Sequence, residues 1–175
     1  MTSTKGSHAT GDKAKVQWPV LVWEGQGVFV GQRATESIVI SATPEAIYGV
    51  VIDFATYPTW VADLKKVTVL SADDAGRALD VEFRAAAFGR SSTYTLRYDY
   101  SAAPGELSWS QVNSDLTSKL DGRYCFEASG AGTKVTYELD VELVVPLPSF
   151  VKNRAASRIM TQALRELKTR AERSA

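Results

Sequence analysis

The sequence predicts an α+β domain: a curved, seven-stranded antiparallel sheet on one long C-terminal helix, with two short helices after the first strand. Three observations carry this. Between residues 64 and 145 apolar and polar residues alternate with period two, as half-buried strands require. The joints there, "ADDAG", "AFGR", "AAPGE", "NSDL" and "ASGAGT", are short and turn-like, and short joints connect antiparallel neighbours. From Pro148 onward the period becomes helical. One sheet and one helix make two layers. A sheet this wide must twist. Curved strongly, it need not close tightly on the helix, so a cavity is expected between them.

Residues 1–15 are polar and rich in Gly, Ser, Thr and Lys. They cannot bury enough apolar surface to offset ordering entropy, so a disordered tail is expected. The stretch has no apolar h-region, and Thr2 stands where N-myristoylation needs glycine, so neither a signal peptide nor that lipid anchor is expected. Residues 16–31, "VQWPVLVWEGQGVFVG", read as an extended arm or small hairpin, with Trp18, Val20 and Val22 before a turn at Glu24 to Gly27 and Val28 and Val30 after it. An apolar arm must be covered. The cover is the domain itself, a second copy in a homodimer, or a membrane surface in transient contact. Residues 1–31 are therefore set apart from a folded domain over 32–175.

Strand one is "ATESIVISA", 34–42. A helix start follows: Thr43 as cap, Pro44 at the first helical position, Glu45 in the first turn. Ala46, Ile47, Val50 and Val51 then repeat at helical spacing. Next, "VVIDFATYPTWVADL" crowds Asp53, Tyr57, Pro58 and Trp60 together. This is either an active-site loop or the plug of a hollow core. A second short helix or turn is expected over Thr56 to Ala62. Strands follow at 64–72, 77–87, 91–102, 106–114, 117–128 and 133–145. The final helix carries Met160, Leu164, Leu167 and Ala171 on one stripe, and its basic last turns suit the helix dipole.

Alternation assigns faces. In 133–145 the charged set Glu138, Asp140 and Glu142 points out, so Val135, Tyr137, Leu139, Val141 and Leu143 point in. The same logic turns Leu79, Val81, Phe83 and Ala85 inward, then Tyr94, Leu96, Tyr98 and Tyr100. It does so for Leu107, Trp109, Gln111 and Asn113, and for Leu120, Gly122, Tyr124 and Phe126. That is many polar tips for a dry core. A buried hydroxyl or amide without a partner costs roughly 1–3 kcal/mol. An apolar pocket with a few polar groups is how small-molecule sites look. The expected ligand-contacting set is Phe83, Tyr94, Tyr98, Trp109, Gln111, Asn113, Tyr124, Phe126, Tyr137 and Leu139 on the strands, with Met160 and Leu164 on the helix. Phe88, at a strand tip, joins this set, and with Leu116 in the 113–119 joint and Phe150 at the start of the long helix it is a candidate lid residue.

Several classes are excluded. Lys plus Arg number 20 and Asp plus Glu 20, and this zero formal net charge gives no nucleic-acid partner. A single cysteine, Cys125, forbids an intrachain disulfide and suits a reducing cytoplasm. No run reaches the roughly 20 apolar residues of a membrane span. The single histidine, His8, lies in the tail. No Cys/His metal cluster and no Ser-His-Asp or Cys-His arrangement is therefore expected. "GQGVFVG" lacks the GxGxxG spacing. No metal, cofactor or catalytic residue is assigned.

The stretch "ATESIVISATPEAIYGVVIDFATYPTWVADLKKVTVL" resembles the start of the START-like (SRPBCC) superfamily, in its polyketide cyclase/dehydrase and lipid-transport branch. Pro44, Glu45, Ile47, Tyr48, Asp53, Tyr57, Pro58 and Trp60 stand where that pattern has them. "GTKVTYELDVEL" is similar to its last strand, and Pro146-Leu147-Pro148 with the long helix to its C-terminus. The likeness spans about residues 33–173. It implies the helix-grip fold, with a hydrophobic cavity between sheet and C-terminal helix. It also implies that Tyr57 and Trp60 pack at one end of the cavity, with Asp53 capping or bonding local backbone. Members bind lipids, sterols, quinones, plant hormones or polyketides, and some cyclise polyketides.

Two functions follow as expectations. The first is binding or transport of a lipid, fatty acid, quinone or polyketide. The second is a cyclase or aromatase acting on a poly-carbonyl chain, with tyrosine hydroxyls stabilising an enolate. A third, docking through the 16–31 arm, stands behind them. The inward face offers tyrosines and few carboxylates, which favours binding.

Overall fold

Thr43, Pro44 and Glu45 open helix α1 (Pro44–Ile52): Thr43 Oγ1 accepts from the Ala46 N–H at 3.3 Å, and Ile47 and Val51 are its buried face. The structure, a computed structural model, describes residues 32–87, 89–144 and 148–174. The arm and tail, with the dimer and membrane contacts expected of them, lie outside the described residues, as does Phe88.

The strands are β1 (Gln32–Ile40), β2 (Leu64–Ala72), β3 (Ala78–Ala87), β4 (Arg90–Asp99), β5 (Glu106–Ser114), β6 (Thr117–Ser129) and β7 (Gly132–Leu143). They form one antiparallel sheet in the order β1-β7-β6-β5-β4-β3-β2, so six consecutive strands meander and β1 closes beside the last. A long helix, α2 (Ser149–Glu172), crosses the concave face. Bulges in the β2–β3, β4–β5 and β6–β7 pairings bend the strands.

Alternation sorts the two faces by chemistry. Outward, Asp80 and Arg97 sit opposite each other and join through two 2.8 Å hydrogen bonds; Arg123 and Glu138 pair likewise at 3.0 Å. Inward, Val81, Leu107 and Val135 meet Ile40, Ile47, Val51 and Phe54, and α2 adds Met160, Leu164, Leu167 and Ala171. Three polar ties fasten α2 to β1 and the residue after it: Ser157 Oγ to Glu36 Oε1 at 2.5 Å, Lys168 Nζ to the Val39 carbonyl at 2.7 Å, and the Ser41 N–H to Glu172 Oε1 at 2.9 Å.

Boundaries differ from expectation where local hydrogen bonds intervene. β1 ends at Ile40 rather than at Ala42, because the Ala42 carbonyl turns to accept Thr133 Oγ1 at 2.7 Å. β4 stops at Asp99, whose Oδ1 accepts the Ser101 N–H at 2.8 Å and starts the turn early. The second short helix is a 3-10 helix over Phe54–Thr59, not Thr56–Ala62. It begins earlier because the Asp53 carbonyl accepts both the N–H and the Oγ1–H of Thr56. The Asp53 side chain makes no cap hydrogen bond, so its carbonyl plays the backbone-bonding part expected of the carboxylate.

Candidate functional site

Curvature leaves a cavity of about 270 Å³ between sheet and α2. Strands β3 to β7 supply Phe83, Tyr94, Leu96, Tyr98, Trp109, Tyr124, Tyr137 and Leu139 as wall. The 3-10 helix and the turn after it supply Tyr57, Trp60 and Val61; α2 supplies Ala156, Ile159, Ala163, Glu166 and Leu167. Exposed Ile159 and Asp63 lie at the rim.

One rim segment owes its shape to a break in the sheet. β5 and β6 pair from Glu106–Cys125 to Trp109–Gly122, and beyond that the Gln111 N–H bonds the Asp121 side chain at 2.9 Å. Gln111 then turns its amide to Thr117, donating to its carbonyl at 3.0 Å and accepting its hydroxyl at 2.5 Å. The strands splay, and Ser114, Leu116, Thr117 and Leu120 line the gap.

Aromatic rings build most of the interior. Tyr57 and Trp60 lie 4.9 Å apart between centroids, Phe83 stacks on Tyr94 at 5.3 Å, and Tyr124 meets Tyr137 at 4.5 Å. The Trp109 ring lies over Gly122, where a Cβ would fall 2.5 Å from Trp109 Cζ2, so only glycine leaves the indole its place.

The phenols are held protonated. Burial pushes Tyr94 up to about 12, and raises Tyr57, Tyr98, Tyr124 and Tyr137 further, with neighbouring phenols adding to the effect. Burial also raises Tyr100 to about 12, and Tyr48 upward. The Tyr57 hydroxyl donates to the Val51 carbonyl at 2.5 Å, and Tyr100 to that of Ala78 at 2.7 Å. All seven tyrosines of the chain are thus raised above the ordinary phenol near 10. A raised folded-state pKa contributes stability that is whole below the unfolded value and is lost as pH rises through the folded one. An alkaline titration is therefore expected to show the five wall phenols, Tyr57, Tyr94, Tyr98, Tyr124 and Tyr137, ionising only with unfolding, with destabilisation starting near pH 10. Ionisation of those five in a still-folded protein at that pH would contradict the burial described.

Of the residues that sequence reasoning placed in the site, Phe83, Tyr94, Tyr98, Trp109, Tyr124, Tyr137 and Leu139 line the cavity. Phe126, Met160 and Leu164 are buried in the core cluster away from the wall. Phe126 packs edge-on to Tyr48, and Met160 is fully enclosed. Gln111 is half-buried with its amide spent on Thr117. Asn113 is a correction: it is exposed, and Ser114 takes the inward place. The bulge between Thr95 and Leu96 pairs Leu96 with Gln111 but Thr95 with Asn113, so one unopposed residue, Val112, flips the face. Leu116 is buried on the wall; the Phe150 side chain is outside the described residues.

Among the wall residues that sequence reasoning missed is Glu166. It follows Ala163 by one turn on the cavity side of α2. Its Oε1 accepts the Gln162 amide at 3.1 Å and the Ala62 N–H at 3.4 Å. Its Oε2 is buried without a hydrogen-bond partner among the described residues, as are Trp60 Nε1 and Trp109 Nε1. A glutamate beside an apolar helix stripe carries no sequence signal of facing inward.

Residues 31–172 match the sequence profile of the family described as polyketide cyclase / dehydrase and lipid transport. The chain belongs to this family. Its fold is the helix grip of the START-like superfamily. A START superfamily protein from Mycobacterium smegmatis superposes with TM-score 0.77 at 22% identity, over 82% of this chain and 99% of that one. The Zhui aromatase/cyclase from a Streptomyces species gives 0.72 at 16%, over 82% and 95%. A STAR-related lipid transfer protein from Xanthomonas axonopodis gives 0.60 at 15%, over 79% and 85%. At such identities the likeness is one of fold. No curated protein sequence matches significantly. Proteins that share this fold thus include one named as an aromatase/cyclase and one named as a lipid transfer protein. Among the described residues no helix is long and apolar enough to cross a membrane.

Proposed function

We propose that this protein binds, and carries through the cytoplasm, a hydrophobic small molecule such as a lipid, fatty acid, quinone or polyketide. The ligand sits between the sheet and α2. The supporting observation is the cavity itself: about 270 Å³, walled by aromatic and aliphatic side chains and holding a few buried polar atoms. About ten buried methylenes would supply roughly 8 kcal/mol gross. Ordering costs reduce that sum, and micromolar binding needs about as much net, so polar contacts must contribute. With every wall phenol held protonated, the tyrosines act as hydrogen-bond donors and apolar surface, not as bases.

A second reading, a cyclase acting on a poly-carbonyl substrate, is favoured by one observation. Glu166 sets a carboxyl group in the wall, where acid–base chemistry would need one. Turnover of such a substrate by the purified chain would establish it.

The test of the binding reading is native mass spectrometry of the full chain after incubation with a cell lipid extract. A discrete added mass that disappears on denaturation is expected. A bare protein mass, with decanol and decanoate also failing to add, would defeat the reading.

A further inference from the structure

Three buried polar atoms of wall residues have no hydrogen-bond partner among the described residues: Glu166 Oε2, Trp60 Nε1 and Trp109 Nε1. Native proteins leave few such atoms, so each asks for an explanation. The first two belong to residues tied through the backbone. Ala62, whose N–H holds Glu166 Oε1, is two residues from Trp60, and both side chains face the same cavity. Their chemistry is complementary. An ionised carboxylate only accepts, and an indole N–H only donates. Glu166 Oε1 is already occupied by Gln162 and Ala62, which leaves Oε2 as the free acceptor.

A hydroxyl is donor and acceptor at once. Placed in this corner, it donates to Glu166 Oε2 and offers its lone pairs to an indole N–H. A ketone, ester or ether brings acceptors only and leaves the carboxyl oxygen unmatched. A carboxylate ligand also brings acceptors only, and sets a second negative charge against the first, which two carboxylates in one site cannot both carry without cost. We propose that the cavity selects a neutral, hydroxyl-bearing hydrophobic molecule, with Glu166 as the specificity-determining residue and Trp60 as its donor partner. Free fatty acids are thereby disfavoured. This deepens the binding reading and rests on it.

The test is calorimetric titration of the full chain with three probes of one chain length: decanol, decanoate and decyl methyl ether. A hydrogen bond to a charged group is worth about ten- to a hundredfold in affinity. The wild-type protein is expected to bind decanol at least about tenfold more tightly than either other probe. Glu166→Gln, whose amide can donate to a carboxylate, is expected to shrink the decanol-to-decanoate ratio by about tenfold or more. Equal binding of decanol and ether by the wild-type protein overturns the proposal, as would occur if a retained water served these atoms. An unchanged decanol-to-decanoate ratio in Glu166→Gln overturns it too. Both outcomes leave the cavity reading standing. Failure of all three probes to bind overturns that reading and this proposal together. The wild-type series is decisive even should the variant fold poorly.

Discussion

Ala163→Phe is expected to lower affinity for decanol, or any ligand of the cavity, by at least about a hundredfold while leaving the melting temperature unchanged or raised. Ala163 lies on the cavity side of α2, between Ile159 and Leu167. A phenyl ring there points into space that the protein itself leaves unfilled, so it occupies what a ligand would use. Excluding about four methylenes at roughly 0.8 kcal/mol each removes about 3 kcal/mol of binding. Folding is spared because filling a void adds contacts, whereas overpacking a dense core would cost about 1–3 kcal/mol. Calorimetry with decanol, run beside thermal unfolding, separates the two effects. Wild-type affinity in Ala163→Phe would place the ligand elsewhere on the protein. A large drop in melting temperature would mean that the space is already filled.

Gly132→Ala is expected to cost about 3 kcal/mol of folding stability, a large share of the total for a domain of this size. Gly132 opens β7 beside the end of β1. A Cβ there would stand 2.3 Å from the Ile40 carbonyl oxygen and 3.3 Å from Ser41 Cα. The obstacle is backbone, which cannot swing aside as a side-chain tip can. Relief must come from separating β1 from β7 at the Ile40–Thr133 pair, next to the buried Thr133 hydrogen bond to Ala42. Urea unfolding measures the loss. Gly49→Ala serves as the internal comparison. It sits in α1 with nothing within 4 Å of the added carbon, so it is expected to gain about 0.5–1 kcal/mol from helix propensity alone. Equal effects of the two substitutions would mean that β1 and β7 do not approach as described.

How much of this was legible beforehand depends on whether the signal is local. The cap at Thr43-Pro44-Glu45 names its own role, because a cap's hydrogen bond spans three residues. The strands from β3 to β7 declare themselves by alternation, and alternation also names the inner face of β3, β4, β6 and β7. Hence Phe83, Tyr94, Tyr98, Tyr124, Tyr137 and Leu139 are identifiable as inward residues from the sequence alone, and the structure sets all six on the cavity wall. The family pattern around Tyr57-Pro58-Trp60 likewise names the aromatic end of the cavity.

What the sequence determined by itself, then, is the order of elements, the antiparallel sheet over one helix, and the side that β3, β4, β6 and β7 turn inward. Each depends on periodicities of two or 3.6 residues that one strand or helix displays alone. Tertiary structure decided the rest. A bulge shows no compositional mark, and it alone exchanged Asn113 for Ser114. Which inward residues border empty space, as Leu139 does, and which are sealed in the core, as Met160 is, depends on how far the curved sheet stands from α2. Glu166 became a wall residue because the turn carrying Trp60 and Ala62 folds back against α2, a contact more than a hundred residues apart in sequence. No local period can report a distance that only the closed chain creates.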